Sequence, residues 1–94
     1  MKITECLWID KFVDKIIQKH HVYPEEVEEL FSGNPLIRRL ENGRVKGEDL
    51  FIAFGTTIPG RYLTVLFVRK MEKRALVISA REMSKSERKS YGKG

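Results

Sequence analysis

Residues 61–91 read RYLTVLFVRKMEKRALVISAREMSKSERKSY. Two apolar runs, Tyr62–Val68 and Ala75–Ala80, are rich in β-branched and aromatic side chains, which suit a pleated surface. The charged link between them, Arg69 to Arg74, is short enough for a hairpin, and a hairpin makes the pair antiparallel. Beyond Arg81 comes Ser84-Lys85-Ser86-Glu87, a serine followed three residues later by glutamate. This capping-box spacing predicts a helix from about Lys85 to Tyr91. The stretch therefore reads as a hairpin leading into a short basic helix, with arginines at the strand ends.

Upstream, Trp8, Ile9, Phe12, Val13, Ile16 and Ile17 recur at helical spacing, with Asp10, Lys11, Asp14, Lys15 and Gln18 on the other face. The pattern predicts that Trp8, Phe12 and Ile16 are buried together. Ile3–Leu7 either opens this helix or forms a short strand before it. His20 and His21 end the helix, where a cation is favourable. The position of His21 suits a left-handed backbone. Pro24 with Glu25 and Glu26 opens a second helix, whose apolar face is Val27, Leu30 and Phe31. Ser32-Gly33-Asn34-Pro35 stops it. An edge strand holding Arg38 and Arg39 is predicted over Leu36–Leu40. A turn at Glu41-Asn42-Gly43-Arg44, a polar loop over 41–48 and a strand over Leu50–Phe54 follow. Two helices, several strands joined by short turns and a last helix make an α+β pattern: two N-terminal helices packed on a meandering antiparallel sheet, with a short C-terminal helix.

Ninety-four residues make a single domain spanning 1–94, with one core. The longest apolar run falls far short of the roughly 20 residues of a membrane helix. MKITECLW has an early acid and no long apolar stretch, so no signal peptide is expected. The lone Cys6 has no internal disulfide partner, which points to a reducing, cytoplasmic location. Charge is unevenly placed. Residues 1–31 carry four Lys/Arg against seven Asp/Glu, net −3, and residues 32–94 carry fourteen against six, net +8. A basic half of this kind favours a polyanionic or acidic partner. No glycine-rich phosphate loop and no metal-ligand spacing is present, so neither a metal nor another cofactor is expected.

The motifs carry a resemblance. Gly60-Arg61-Tyr62-Leu63, then Ile78-Ser79-Ala80-Arg81, then Glu87-Arg88 and Tyr91 resemble the end of BrnT-type toxins. Those are small ribonucleases of bacterial type II toxin–antitoxin pairs with a RelE/ParE-like fold. The likeness extends upstream through Lys19-His20, Val22 and Glu25-Glu26 to Phe31. It implies an RNA substrate, a cognate antitoxin protein as partner, and operator DNA reached only through the antitoxin complex. It also implies that the stretch before the first helix opens as a strand. Three positions depart from the family pattern. Ile9 stands where aspartate is common, and Leu50 and Leu76 stand where arginine is often found.

Cleaving RNA without metal requires stabilising the negative charge that gathers on a pentavalent phosphate, and guanidinium groups are suited to this. The expected catalytic residues are Arg81, which completes I-S-A-R; Arg61, at the Gly-Arg position; Glu48, at the family's acidic position; and His20, as an acid–base group. The expected nucleic-acid contacts are Lys70, Arg69, Arg88 and Tyr91. Strict alternation would put Arg61 on one strand face and Arg81 on one face of the next. If those faces coincide, the two arginines converge on one phosphate. Each residue also has a structural role open to it: bonding the Glu82 region or the last helix for Arg81, solvated charge for Arg61, a helix-end cation for His20, hairpin-tip charge for Arg69 and Lys70, packing and capping for Arg88 and Tyr91. Three functions remain compatible with the sequence: a metal-independent ribonuclease toxin, a non-catalytic nucleic-acid-binding module, and a protein-interaction module.

Overall fold

The computed structural model describes residues 1–41 and 48–93. The elements run β1 (Glu5–Leu7), α1 (Asp10–His20), α2 (Pro24–Ser32), β2 (Leu36–Glu41), β3 (Leu50–Thr56), β4 (Tyr62–Lys70), β5 (Arg74–Glu82) and α3 (Lys85–Lys93). The five strands form one sheet in the order β1-β5-β4-β3-β2. The predicted α+β arrangement holds, and β2 through β5 are the expected antiparallel meander. The fully antiparallel sheet does not hold. Residues 5–7 form a strand, β1, that pairs parallel to β5 at the far edge. A parallel neighbour needs a crossover, and α1 and α2 lie within the chain that makes it. The turn predicted at Glu41-Asn42-Gly43-Arg44 and the loop over 41–48 fall, except for Glu41 and Glu48, outside the described residues.

The helices cover one sheet face. Along β3, Phe51, Ala53 and Gly55 are buried while Leu50, Ile52, Phe54 and Thr56 are half-exposed. The buried face continues through Leu63, Val65 and Phe67 of β4 and Ala75, Val77 and Ala80 of β5. It packs against Ile16 of α1 and Val27, Leu30 and Phe31 of α2. Phe67 is fully buried, edge-on to Phe31 at 5.2 Å and stacked with Phe51 at 5.6 Å. Gly55 lets α2 sit close, since a Cβ there would meet Leu30 Cγ at 2.9 Å.

α1 starts later than its apolar periodicity suggested. Ile9 is its N-cap, with an extended backbone and no side-chain cap. Trp8 precedes the helix and packs against the core from there. Ile16 is fully buried, but Phe12 is only half-buried, under the ammonium of Lys11. The expected trio is thus reduced to one core residue and two flanking ones. His21 takes the left-handed backbone expected of it, φ 55°, as the C-cap of α1.

The most consequential departure is in the central hairpin. Leu66 pairs with Ser79, yet Phe67 pairs with Val77, so Ile78 is an extra residue in β5. A bulge of this kind shifts the side-chain alternation by one position. Ala75 and Val77 therefore lie on the helix-covered face, whereas Ser79 and Arg81 lie on the opposite, open face. Leu36, Phe54, Thr64 and Arg81 form one cross-strand row on that open face.

Candidate functional site

Arg81 is held in place from two sides. Its Nη1 donates to Glu87 Oε1 at 2.7 Å and its Nη2 to Glu87 Oε2 at 2.8 Å, while Nη1 also donates to the Glu82 carbonyl at 3.1 Å. The sequence motif explains Glu87. Ser84 and Glu87 form the predicted capping box: the Ser84 amide donates to Glu87 Oε1 at 2.9 Å, and the Glu87 amide donates to Ser84 Oγ at 3.2 Å. The Thr64 hydroxyl donates to the same carboxylate at 3.2 Å. The capping carboxylate of α3 thus also orients the arginine that ends the I-S-A-R motif. These hydrogen bonds, the one from Arg81 first, hold the Glu87 carboxyl down at about 2 despite its burial. The hydrogen bond to Glu87 pushes Arg81 up in turn, against the pull of burial.

A guanidinium has five N–H donors. Three of those on Arg81 are used, and Nε–H with the second Nη2–H has no partner among the described residues. These two share one edge of the planar group. Arg81 therefore keeps a complete fork free while Glu87 fixes its orientation, and its side chain is 41% exposed.

α3 brings further groups to the same face. The Arg88 guanidinium lies 4.2 Å from the centroid of the Tyr62 ring, and Tyr91 meets that ring edge-on at 6.1 Å. Arg88 is exposed and Tyr91 half-buried. Arg38 of β2 is exposed and has no hydrogen-bond or charge partner among the described residues.

The other predicted residues lie elsewhere. Arg61 follows the helix-covered face and is consumed by contacts. It bonds both oxygens of Glu26 at 2.8 and 3.0 Å, Glu82 at 3.2 Å, and the carbonyls of His21 and His20 at 2.8 and 3.4 Å. Burial pulls its pKa down, but hydrogen bonds to Glu26 and Glu82 outweigh that and leave it raised. His20 enters this cluster through its backbone carbonyl, at the end of α1. Because Ile78 shifts the alternation, Arg61 and Arg81 face opposite sides of the sheet and do not converge. Glu48 is ion-paired with Lys70. That pair lies six residues along β4 from Thr64, about 20 Å at strand rise. Arg69 rests over the Phe51 ring at 5.3 Å. Burial, with help from Glu28 and Glu5, pushes the Cys6 thiol up to about 12, which disfavours its thiolate at neutral pH.

Glu87, Thr64, Tyr62 and Arg38 were not singled out by sequence reasoning as site residues. Glu87 could have been, since a cap three residues past Ser84 sits close to whatever ends the preceding strand. For Arg38, the signal was a lone cation between Leu36 and Leu40 on one strand face.

Comparison with known proteins agrees with this architecture. The model of the BrnT ribonuclease toxin family of type II toxin–antitoxin systems matches residues 8–87. The fold is similar to that of the Brucella abortus ribonuclease toxin BrnT in its crystal structure. The TM-score is 0.61 at 19% identity, over 87% of this chain and 99% of that one. No curated protein matches the chain in sequence. A sheet backed by two helices, with a basic helix set across its open face, defines a small α+β domain. The chain belongs to the BrnT family of ribonuclease toxins of type II toxin–antitoxin systems, whose members have an antitoxin as partner.

Proposed function

We propose that this chain cleaves RNA without a metal on the open face of its sheet, with Arg81 as the principal phosphate contact. The observation that carries this is the free Nε/Nη2 fork of an arginine whose other edge is fixed by Glu87. Attack of a ribose 2′-hydroxyl on the adjacent phosphate builds negative charge on the non-bridging oxygens. A fork already aimed at them stabilises that charge without reorganising during reaction. Glu87, held down at about 2, stays ionised and serves to position Arg81. Arg88 and Tyr91 border the same face and contact the RNA strand. Arg61 with His20, and Glu48 with Lys70, serve the fold on this account, and Arg69 remains a general attraction for the polyanion.

The half-exposed apolar side chains of the open face, Ile52, Leu66, Val68 and Leu76 among them, have Arg38, Lys70, Arg74 and Arg81 around them. That combination fits an antitoxin segment with apolar and acidic side chains, which would cover Arg81. The chain would then act in the cytoplasm and reach operator DNA only through that complex. One observation favours a second reading, binding without cleavage. Leu50 and Leu76, at positions where the family often carries arginine, both pair with Val68 in an apolar row. Induced expression, with growth and RNA integrity followed together, separates the two. Cleavage predicts growth arrest with RNA breakdown, relieved by the antitoxin; intact RNA during arrest favours binding alone.

A further inference from the structure

Beside the Arg81–Glu87 pair lies a cavity of about 190 Å3 between α3 and the strands β2 and β3. Its apolar lining residues are Leu36, Phe54 and Tyr91, and its polar ones are Arg38, Ser86, Glu87 and Ser90. Its volume is below the roughly 300 Å3 at which pockets for drug-sized ligands begin, so it suits one flat ring system. Two of its walls are aromatic, and single-stranded RNA is recognised largely by stacking splayed bases on such side chains.

Leu36 and Phe54 share the cross-strand row of Arg81, and Arg38 stands two residues along β2 on the same face. Three strand spacings and one two-residue step separate the Cα atoms of Arg38 and Arg81 by about 16 Å. With both long side chains on one face, the two guanidinium groups can meet a single RNA strand spanning neighbouring nucleotides. Arg38 is also the one cation of this cavity, and it has no protein partner among the described residues.

We propose that this cavity is a base-specific subsite that seats the nucleobase next to the scissile phosphate, with guanine preferred and Arg38 as the reader. This rests on the reading that RNA is cut beside Arg81. Guanine presents an acceptor pair, O6 and N7, that matches an arginine fork, and an N–H donor edge that suits a carboxylate. Of these the cavity offers the cation; the Glu87 carboxylate is already taken by Arg81, Ser84 and Thr64, so the guanine preference rests on Arg38. Uracil and cytosine lack the O6/N7 pair, and adenine presents an amino donor where guanine has O6.

The test uses trinucleotides U-N-U carrying 2′-O-methyl groups, which block cleavage, with the four bases in turn at the centre. Binding to the full-length protein is followed by NMR chemical shifts. The guanine-centred probe is expected to bind about ten-fold tighter than the uracil-centred one, the scale of one bidentate arginine–base contact, with shifts at Leu36, Phe54 and Ser90. Arg38→Lys should keep affinity for the uracil-centred probe within about two-fold and lose the guanine preference, because an ammonium has no fork. Equal affinity for all four probes, a preference that survives Arg38→Lys, or shifts confined to other surfaces would each overturn the subsite. Cut sites mapped on a mixed-sequence RNA separate this from the parent reading. Guanine-selective binding without cleavage leaves the subsite standing and the nuclease reading fallen, and unbiased cleavage with equal probe binding does the reverse.

Discussion

Arg81 and Glu87 face each other fork to fork, with parallel hydrogen bonds of 2.7 and 2.8 Å, and they tie the end of β5 to the first turn of α3. Glu87 is one-fifth exposed. It is at once helix cap, acceptor for Thr64 and holder of Arg81. Its carboxyl titrates at about 2 in the folded chain against an ordinary 4.5. The stability this brings is fully present above pH 4.5 and is lost as pH falls from there through 2. It amounts to roughly 3 kcal/mol at neutral pH. Urea unfolding at a series of pH values should show this loss in the parent. In Glu87→Gln that component should be absent and the neutral-pH stability lower. Identical pH profiles for the two proteins would dissociate Glu87 from the latch.

Arg61 joins the end of α1, the start of α2 and the end of β5 through Glu26, Glu82 and two helix-end carbonyls. Arg61→Ala leaves Glu26 and those carbonyls without their donor, at a cost of about 2–3 kcal/mol for a partly buried pair. Chemical denaturation should register this. The same variant, measured below its melting transition, should bind RNA like the parent.

Ile9 occupies the N-cap of α1 with a suitable backbone but no side-chain acceptor. Aspartate, which the family commonly has here, would supply one. Ile9→Asp should therefore stabilise the protein by about 1 kcal/mol, seen as a higher melting temperature, with no effect on RNA cleavage. A change in cleavage instead would give this position a role in the chemistry.

The aromatic core and the first helix should differ in their response to truncation. Phe67→Ala removes a fully buried ring with two aromatic neighbours and should cost about 3–5 kcal/mol. Phe12, half-buried, should cost less than half of that when changed to alanine. Urea midpoints of the two variants measured side by side decide this; equal losses would place Phe12 in the core.

Local chemistry made much of the fold legible. β-branched runs gave the central hairpin, Pro24 and the glutamates gave α2, and Ser84 with Glu87 gave α3. Helix-ending logic even gave the left-handed His21. What escaped depended on single residues or on distant pairings. Ile78 is apolar and would suit a strand with or without a bulge, so nothing in V-I-S announces the shift that sends Arg81 to the open face. β1 pairs with a strand nearly seventy residues away. Arg61 finds Glu26 35 positions back and Glu82 21 positions on. The Arg81–Glu87 contact, by contrast, joins residues six positions apart within one motif.

The central claim is that Arg81, positioned by Glu87, stabilises the reacting phosphate. The most direct measurement is the single-turnover rate of cleavage of a defined RNA by Arg81→Ala, compared with the parent at equal folded fraction established by circular dichroism. The account predicts a fall of about 10²–10³-fold with the native spectrum retained, as for loss of one preorganised donor, and only partial rescue in Arg81→Lys. Cleavage by folded Arg81→Ala at the parental rate would contradict it.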